Sequence, residues 1–207
     1  MGGKWRQWGE LTVDEYGKTK PEYSNWRNII SRVGIGRYSE VSCSERFKQY
    51  NLWIEWASNQ KGFRCVDNLG RTFHIDKDII GDGTLYDFDT CCFVPNAINS
   101  LFRKPRIDTG LLLGVSKEVR KKKFKARGFN LCGGSTHIGY YDTEGEAHDA
   151  YLKTRLLYVA SLVEIYGDNL EERLISELYK SCKFGYRHKD IITDINQSCA
   201  GMSAATA

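Results

Sequence analysis

Hydrophobic and polar residues alternate along this chain with two different periods. Residues 71–76 alternate with a period of two, which predicts a strand that pairs with residues 63–66 across a tight turn. One face of that strand carries Thr72, His74 and Asp76. A second short apolar strand is predicted at residues 92–94. Apolar residues at helical spacing follow Pro95, which suits the first turn of a helix.

The polar residues of this segment add candidate chemistry. His74 and Asp76 occupy neighbouring positions on one face of the predicted strand. Asp78 follows directly, and Asn99 lies on the predicted helix between its apolar positions. A histidine, acids and an asparagine that face one pocket are compatible with a divalent-metal nuclease site.

Helical spacing also predicts two helices before this segment. The first begins within residues 21–25, carries an apolar stripe and ends near Gly34, since glycine favours helix ends. Ser44 is expected to cap the second helix. The stripe of that second helix consists of Phe47, Tyr50 and Ile54.

The second half of the chain changes to a basic strand pattern. Residues 123–127 alternate cleanly, which predicts a half-buried strand with a charged outer face. Its outward cations are Lys123, Lys125 and Arg127. A further strand is expected at residues 137–141, in which Ile138 and Tyr140 share a face.

A long helix is predicted after these strands. Thr143 and Glu146 have the spacing of a capping box, which marks its beginning. Gly167 is expected to end it, and Asp168 and Asn169 to start another helix.

Composition narrows the class of protein. A chain of 207 residues with 41% hydrophobic and 27% charged residues suits one large or two small globular domains. It contains no apolar run of 18 residues, so no membrane span is expected. Seven cysteines without a CxxC pair favour neither a zinc ribbon nor a disulfide framework, and reduced thiols in a cytoplasm are expected.

The positive charge of the chain is small in total but concentrated in one segment. The net charge is only +4, but residues 103–127 hold ten Lys or Arg residues and two acids, Asp108 and Glu118. A basic stripe of this kind is the electrostatic footprint of a phosphate-binding surface.

Three motifs carry a resemblance: HIDKD at residues 74–78, YDFDTCCFVP at 86–95 and NAIN at 96–99. They resemble the HNH homing endonucleases that phages encode, over residues 20–105. The resemblance implies that His74 is the general base that activates water. It also implies that Asn99 helps to hold one divalent cation, Mg²⁺ or Mn²⁺, against the scissile phosphate.

Two positions depart from that family pattern. Phe73 stands where many members have a metal ligand, and Thr90 stands where a structural asparagine is usual. Asp76 is the expected substitute ligand, with Asp78 beside it. These departures leave room for an HNH descendant that has lost its catalytic activity.

Residues 114–155 resemble the DNA-binding domain of plant ethylene-response factors. The matching residues are Gly114-Val115, Phe124-Lys125-Ala126-Arg127, the run from Ile138 to Thr143, Glu146-Ala147 and Ala150-Tyr151. That family lays a three-stranded sheet, backed by one helix, in the major groove. The resemblance implies groove contacts from Lys123, Lys125 and Arg127, and phosphate contacts from Arg120, Lys121 and Lys122.

The expected fold is α+β: N-terminal helices and a ββα-metal (HNH-like) core, then a three-stranded antiparallel sheet packed on a long helix. The expected divisions are an arm (1–20), a nuclease module (21–105), a DNA-binding domain (106–167), and a helix with a flexible tail (168–207). The expected function is a site-specific endonuclease that binds double-stranded DNA in the host cytoplasm, as a monomer that nicks or a weak dimer. Two alternatives remain open: an inactive DNA-binding regulator, and a phage protein that inhibits a host enzyme.

Overall fold

The computed structural model describes residues 12–102, 109–129 and 134–183, and the class is α+β, as predicted. The helices in these residues are α1 (Pro21–Arg32), α2 (Tyr50–Ser58), α3 (Asn96–Leu101), α4 (Glu144–Tyr166) and α5 (Glu172–Lys183). The strands are β1 (Ser42–Cys43), β2 (His74–Asp76), β3 (Leu85–Tyr86), β4 (Cys92–Val94), β5 (Val115–Glu118), β6 (Lys123–Phe129) and β7 (Ser135–Tyr141). The flexible tail, most of the N-terminal arm, the linker after α3 and most of the turn before β7 are predictions outside the described residues.

The strand–strand–helix order predicted for residues 71–102 is present. β2 and β4 pair antiparallel, with His74 opposite Val94 and Asp76 opposite Cys92. α3 begins directly after Pro95. The hairpin expected before β2 is reduced to one bridge between Val66 and Thr72. β1 and β3 form a separate parallel pair of two residues each.

The second predicted helix begins later than its sequence suggests. The Oγ of Ser44 accepts a hydrogen bond from the Phe47 amide (3.3 Å), as a cap would, but only one turn forms there and α2 begins at Tyr50. The indole of Trp26 donates to the Phe47 carbonyl oxygen at 2.9 Å. This hydrogen bond ties the turn after Ser44 to α1.

The three-stranded antiparallel sheet packed on a long helix is present as predicted. Its order is β5–β6–β7. Val115 and Ala126 lie opposite each other in the sheet and are buried together with Ala147 of α4. The capping box that begins α4 is complete, because Glu146 N–H donates to the Thr143 hydroxyl (3.2 Å) and Thr143 N–H donates to the Glu146 carboxylate (3.0 Å).

The expectation that Ile138 and Tyr140 share a face is wrong, because β7 contains a bulge. The pairs on either side of the bulge are Ala126 with Gly139 and Arg127 with His137. Ile138 is the extra residue, and it packs with the small cluster beneath α4. Tyr140 lies on the opposite face, across from Lys125. A bulge shifts the alternation by one residue, so simple period-two counting fails beyond it.

α4 belongs to two hydrophobic clusters. Its first half covers the three-stranded sheet, and its second half enters the main core together with α5 and the N-terminal elements. Fully or nearly buried members of the main core include Phe47, Trp53, Val94, Ile98, Val159, Leu174 and Leu178. The two predicted modules are therefore joined through one helix rather than only through their linker. Among the described helices, none has both the length and the apolar character that crossing a membrane requires.

Candidate functional site

The sheet β5–β7 leaves one face away from α4, called here the open face. Its residues follow from the strand register, because Val115, Ala126 and Gly139 occupy the helix side. The open face carries Ser116, Glu118, Lys123, Lys125, Arg127, His137 and Tyr140. Cations and aromatic rings thus share one surface, as the sequence predicted for the three cations of β6.

The three cations of β6 differ in their charge partners. Lys123 forms an ion pair with Asp142 at 3.0 Å and lies opposite Glu118 in the sheet. Lys125 and Arg127 form no ion pair with any described residue. Lys125 and Arg127 are therefore the strand cations whose positive charge is available to an anionic partner.

The loop between β5 and β6 adds further cations. Val119–Lys121 forms a 3₁₀ turn, and Lys122 ends it in the left-handed region at φ +50°. Arg120, Lys121 and Lys122 are all exposed. These three cations are the ones for which the sequence analysis predicted phosphate contacts.

Tyr140 holds a position that the sequence did not single out. The Nζ of Lys121 lies 3.7 Å from its ring centroid, and the Nζ of Lys125 lies 5.8 Å from it. The His137 ring lies 4.7 Å from the same ring. The bulge at Ile138 brings both rings to the open face, and a bulge leaves no reliable signal in a single sequence.

The predicted general base, His74, is exposed at the start of β2. Its imidazole makes no hydrogen bond to another residue in the part of the chain that the structure describes. An exposed imidazole is accessible to a water molecule, as a general base must be. Phe73, beside it, is buried and packs edge-on against Tyr166 of α4, with ring centroids 5.8 Å apart. Phe73 is therefore a core residue at the position where the HNH resemblance implies a metal ligand.

Asp76 is buried, whereas His74 is exposed to solvent. Only 5% of the residue is exposed, and its Oδ1 accepts hydrogen bonds from the backbone amides of Asp78 (2.8 Å) and Ile79 (2.9 Å). Burial, and secondarily the Asp78 carboxylate, raise the pKa of Asp76 to about 6. Its side chain stabilises the turn that follows β2.

Asp78 already has a cation beside it. The ammonium of Lys77, a residue that is 4% exposed, donates to Asp78 Oδ1 at 2.7 Å and to the Gly83 carbonyl oxygen at 2.6 Å. The Tyr86 ring lies 5.5 Å from the same ammonium. The Lys77 ammonium thus pairs with one oxygen of this carboxylate. A buried lysine between two acids was not anticipated from the sequence.

The remaining predicted site residues lie on neighbouring elements. Asn99 is half-buried on α3, and its side-chain amide makes no hydrogen bond to another described residue. Thr90 donates its hydroxyl to the Leu85 carbonyl oxygen (2.8 Å) and accepts from the Asp87 amide (3.1 Å). Thr90 therefore fixes the loop before β4, which is a structural role.

A divalent-cation site formed by Asp76, Asp78 and Asn99 stays a prediction. Oδ1 of Asp76 accepts from two backbone amides and Oδ1 of Asp78 accepts from Lys77, whereas Mg²⁺ requires near-octahedral oxygen ligands. Within residues 12–102, 109–129 and 134–183, no three His, Cys, Asp or Glu side chains form a group that could hold a metal ion.

No protein-family model, no curated protein and no solved structure matches this chain.

Proposed function

We propose that this protein binds double-stranded DNA with the open face of the β5–β7 sheet. The observation that carries this proposal is that Lys125 and Arg127, on the face opposite α4, form no ion pair with a described carboxylate. Uncompensated cations in a row suit the phosphate backbone, and arginine suits guanine in the major groove. Arg120, Lys121 and Lys122, in the loop between β5 and β6, add three exposed cations next to this surface.

The shape of the surface supports duplex DNA. The major groove of B-DNA admits a two-stranded β-ribbon or an α-helix. The β5–β6 hairpin presents its charged loop at one end and Lys125 and Arg127 along its length. α4 covers the back of the sheet, so the ribbon is held rigid while its open face remains accessible. The likeness to the plant DNA-binding domain agrees with this arrangement.

A binding assay on single variants tests the location of the interface. We expect Arg127→Ala and Lys125→Ala each to weaken binding of a labelled duplex of mixed sequence about tenfold, measured by fluorescence anisotropy. Lys153→Ala is the matched control, because Lys153 is exposed on α4, behind the sheet. Equal affinities for all four proteins would contradict the proposal.

The second candidate function is DNA nicking by the β2–β4–α3 unit. It is favoured by the exposed imidazole of His74 on the strand that precedes the loop and helix, in the order that the HNH resemblance implies. His74 would accept a proton from water at one ring nitrogen. The acids of this unit are engaged by a turn and by Lys77, so the proposed step is limited to this proton transfer.

Relaxation of supercoiled plasmid separates the two candidates. Wild type and His74→Ala are compared with Mg²⁺ or Mn²⁺ and with EDTA. Cation-dependent nicking by wild type that His74→Ala loses, with DNA binding retained, would establish the nuclease. DNA binding by both proteins without nicking would establish a DNA-binding protein whose HNH-like unit has no cleavage activity. Absence of DNA binding would favour a protein partner.

A further inference from the structure

We propose that Tyr140 is a positioning residue that holds Lys121 and Lys125 in place for DNA phosphates. The inference rests on the proposed DNA-binding function and assigns a role to a residue that contacts both cations. The Lys121 ammonium lies 3.7 Å from the centroid of the Tyr140 ring, whereas the Lys125 ammonium lies 5.8 Å from it. Both distances are within the range of a cation–π interaction.

The type of group that contacts a lysine decides whether its positive charge stays available to a phosphate. A carboxylate would hold a lysine in place but would also cancel its charge, as Asp142 does for Lys123 at 3.0 Å. An aromatic ring orients an ammonium and leaves its full charge available to a phosphate oxygen. Lys121 and Lys125 make their contacts with this ring and form no ion pair with a described residue.

The geometry also connects two separate parts of the surface. Lys121 belongs to the β5–β6 loop, whereas Lys125 lies on β6 directly opposite Tyr140. The ring of Tyr140 therefore links the loop to the strand. Lysine side chains lose much rotamer freedom when they bind a phosphate, and ordering them beforehand reduces that loss on binding.

A double-mutant cycle on DNA affinity tests the coupling. We expect Tyr140→Leu to weaken duplex binding about fivefold and Tyr140→Phe, which keeps the ring, to stay within about twofold of wild type. We also expect the loss of affinity caused by Lys121→Ala to be smaller by a factor of at least about three in the Tyr140→Leu background than in wild type. Lys122→Ala is the control, since this exposed neighbour has no ring contact in the described chain, and its effect should be equal in both backgrounds.

A measurement on the DNA-free protein gives an independent readout. The ε-methylene protons of Lys121 should show an upfield ring-current shift in NMR spectra, lost in Tyr140→Leu and retained in Tyr140→Phe. Wild-type affinity in Tyr140→Leu, or additive effects of Lys121→Ala, would overturn the positioning role while the DNA-binding proposal stands. Wild type that fails to bind duplex DNA would overturn both.

Discussion

The guanidinium of Arg155, on α4, donates a hydrogen bond of 3.2 Å to the carbonyl oxygen of Leu101, the last residue of α3. The same group donates to the Tyr151 hydroxyl (3.1 Å) and to the Ser181 hydroxyl of α5 (3.2 Å). Arg155 is fully buried. A cation at the carboxyl end of a helix interacts favourably with the carbonyl groups there. This one side chain therefore ties the helix after the β2–β4 pair to both C-terminal helices.

Arg155→Lys is expected to lower the free energy of unfolding by about 2 kcal/mol, because one ammonium cannot reproduce the planar fork of donors that reaches three acceptors. Urea unfolding followed by tryptophan fluorescence measures the loss. Arg120→Lys, on the exposed loop, should change the value by less than about 0.5 kcal/mol. Equal stability of the two variants would show that the buried contacts of Arg155 contribute little.

Gly114→Ala is expected to destabilise the β5–β7 unit by more than about 2 kcal/mol. Gly114 has φ +82°, and a Cβ there would lie 2.2 Å from ring atoms of the buried Tyr151. Gly110→Ala is a matched control, because Gly110 has φ +67° with no atom within 4 Å of a Cβ. Its cost should be about 1 kcal/mol, from backbone strain alone. If thermal unfolding shows the same loss of stability in both variants, a Cβ at position 114 does not overlap with Tyr151.

Asp76→Asn is expected to make stability less dependent on pH. The folded pKa of Asp76, about 6, lies above its ordinary value of 3.8. The folded state therefore binds the proton more tightly, and the contribution of Asp76 to stability falls as pH rises from about 4 to about 6. The asparagine variant keeps an oxygen for both backbone amides and carries no charge.

The unfolding free energy of Asp76→Asn minus that of wild type should therefore increase over this pH interval and stay constant above it. Urea unfolding at several pH values measures the difference. A difference that stays constant from about pH 4 to about pH 7 would show that the carboxylate is not destabilised by burial. Unchanged DNA affinity in the same variant is expected, since Asp76 lies in the β2–β4 unit and not on the open face.

Local patterns predicted much of this fold. Two examples are the capping box of Thr143 and Glu146 and the cationic face of β6. Both depend only on residues a few positions apart in the sequence, so they can be predicted from local spacing. The same reasoning failed at Tyr140, because one inserted residue in β7 reverses the alternation.

The candidate nuclease residues illustrate a second limit. Period-two spacing correctly assigned His74 and Asp76 to one strand but could not show that one is exposed and the other buried. Burial depends on packing by distant elements, such as α4 against Phe73. The ammonium of Lys77 beside Asp78 and the central place of Arg155 depend on the tertiary fold in the same way.

The dependence of duplex affinity on salt concentration tests the central claim most directly. Contact with about five phosphates predicts a slope of about −4 to −5 for the logarithm of the association constant against the logarithm of salt concentration. Lys125→Ala should make that slope shallower by about 1, whereas Lys153→Ala should leave it unchanged. A flat response in wild type, or equal slopes for all three proteins, would contradict DNA binding by the open face.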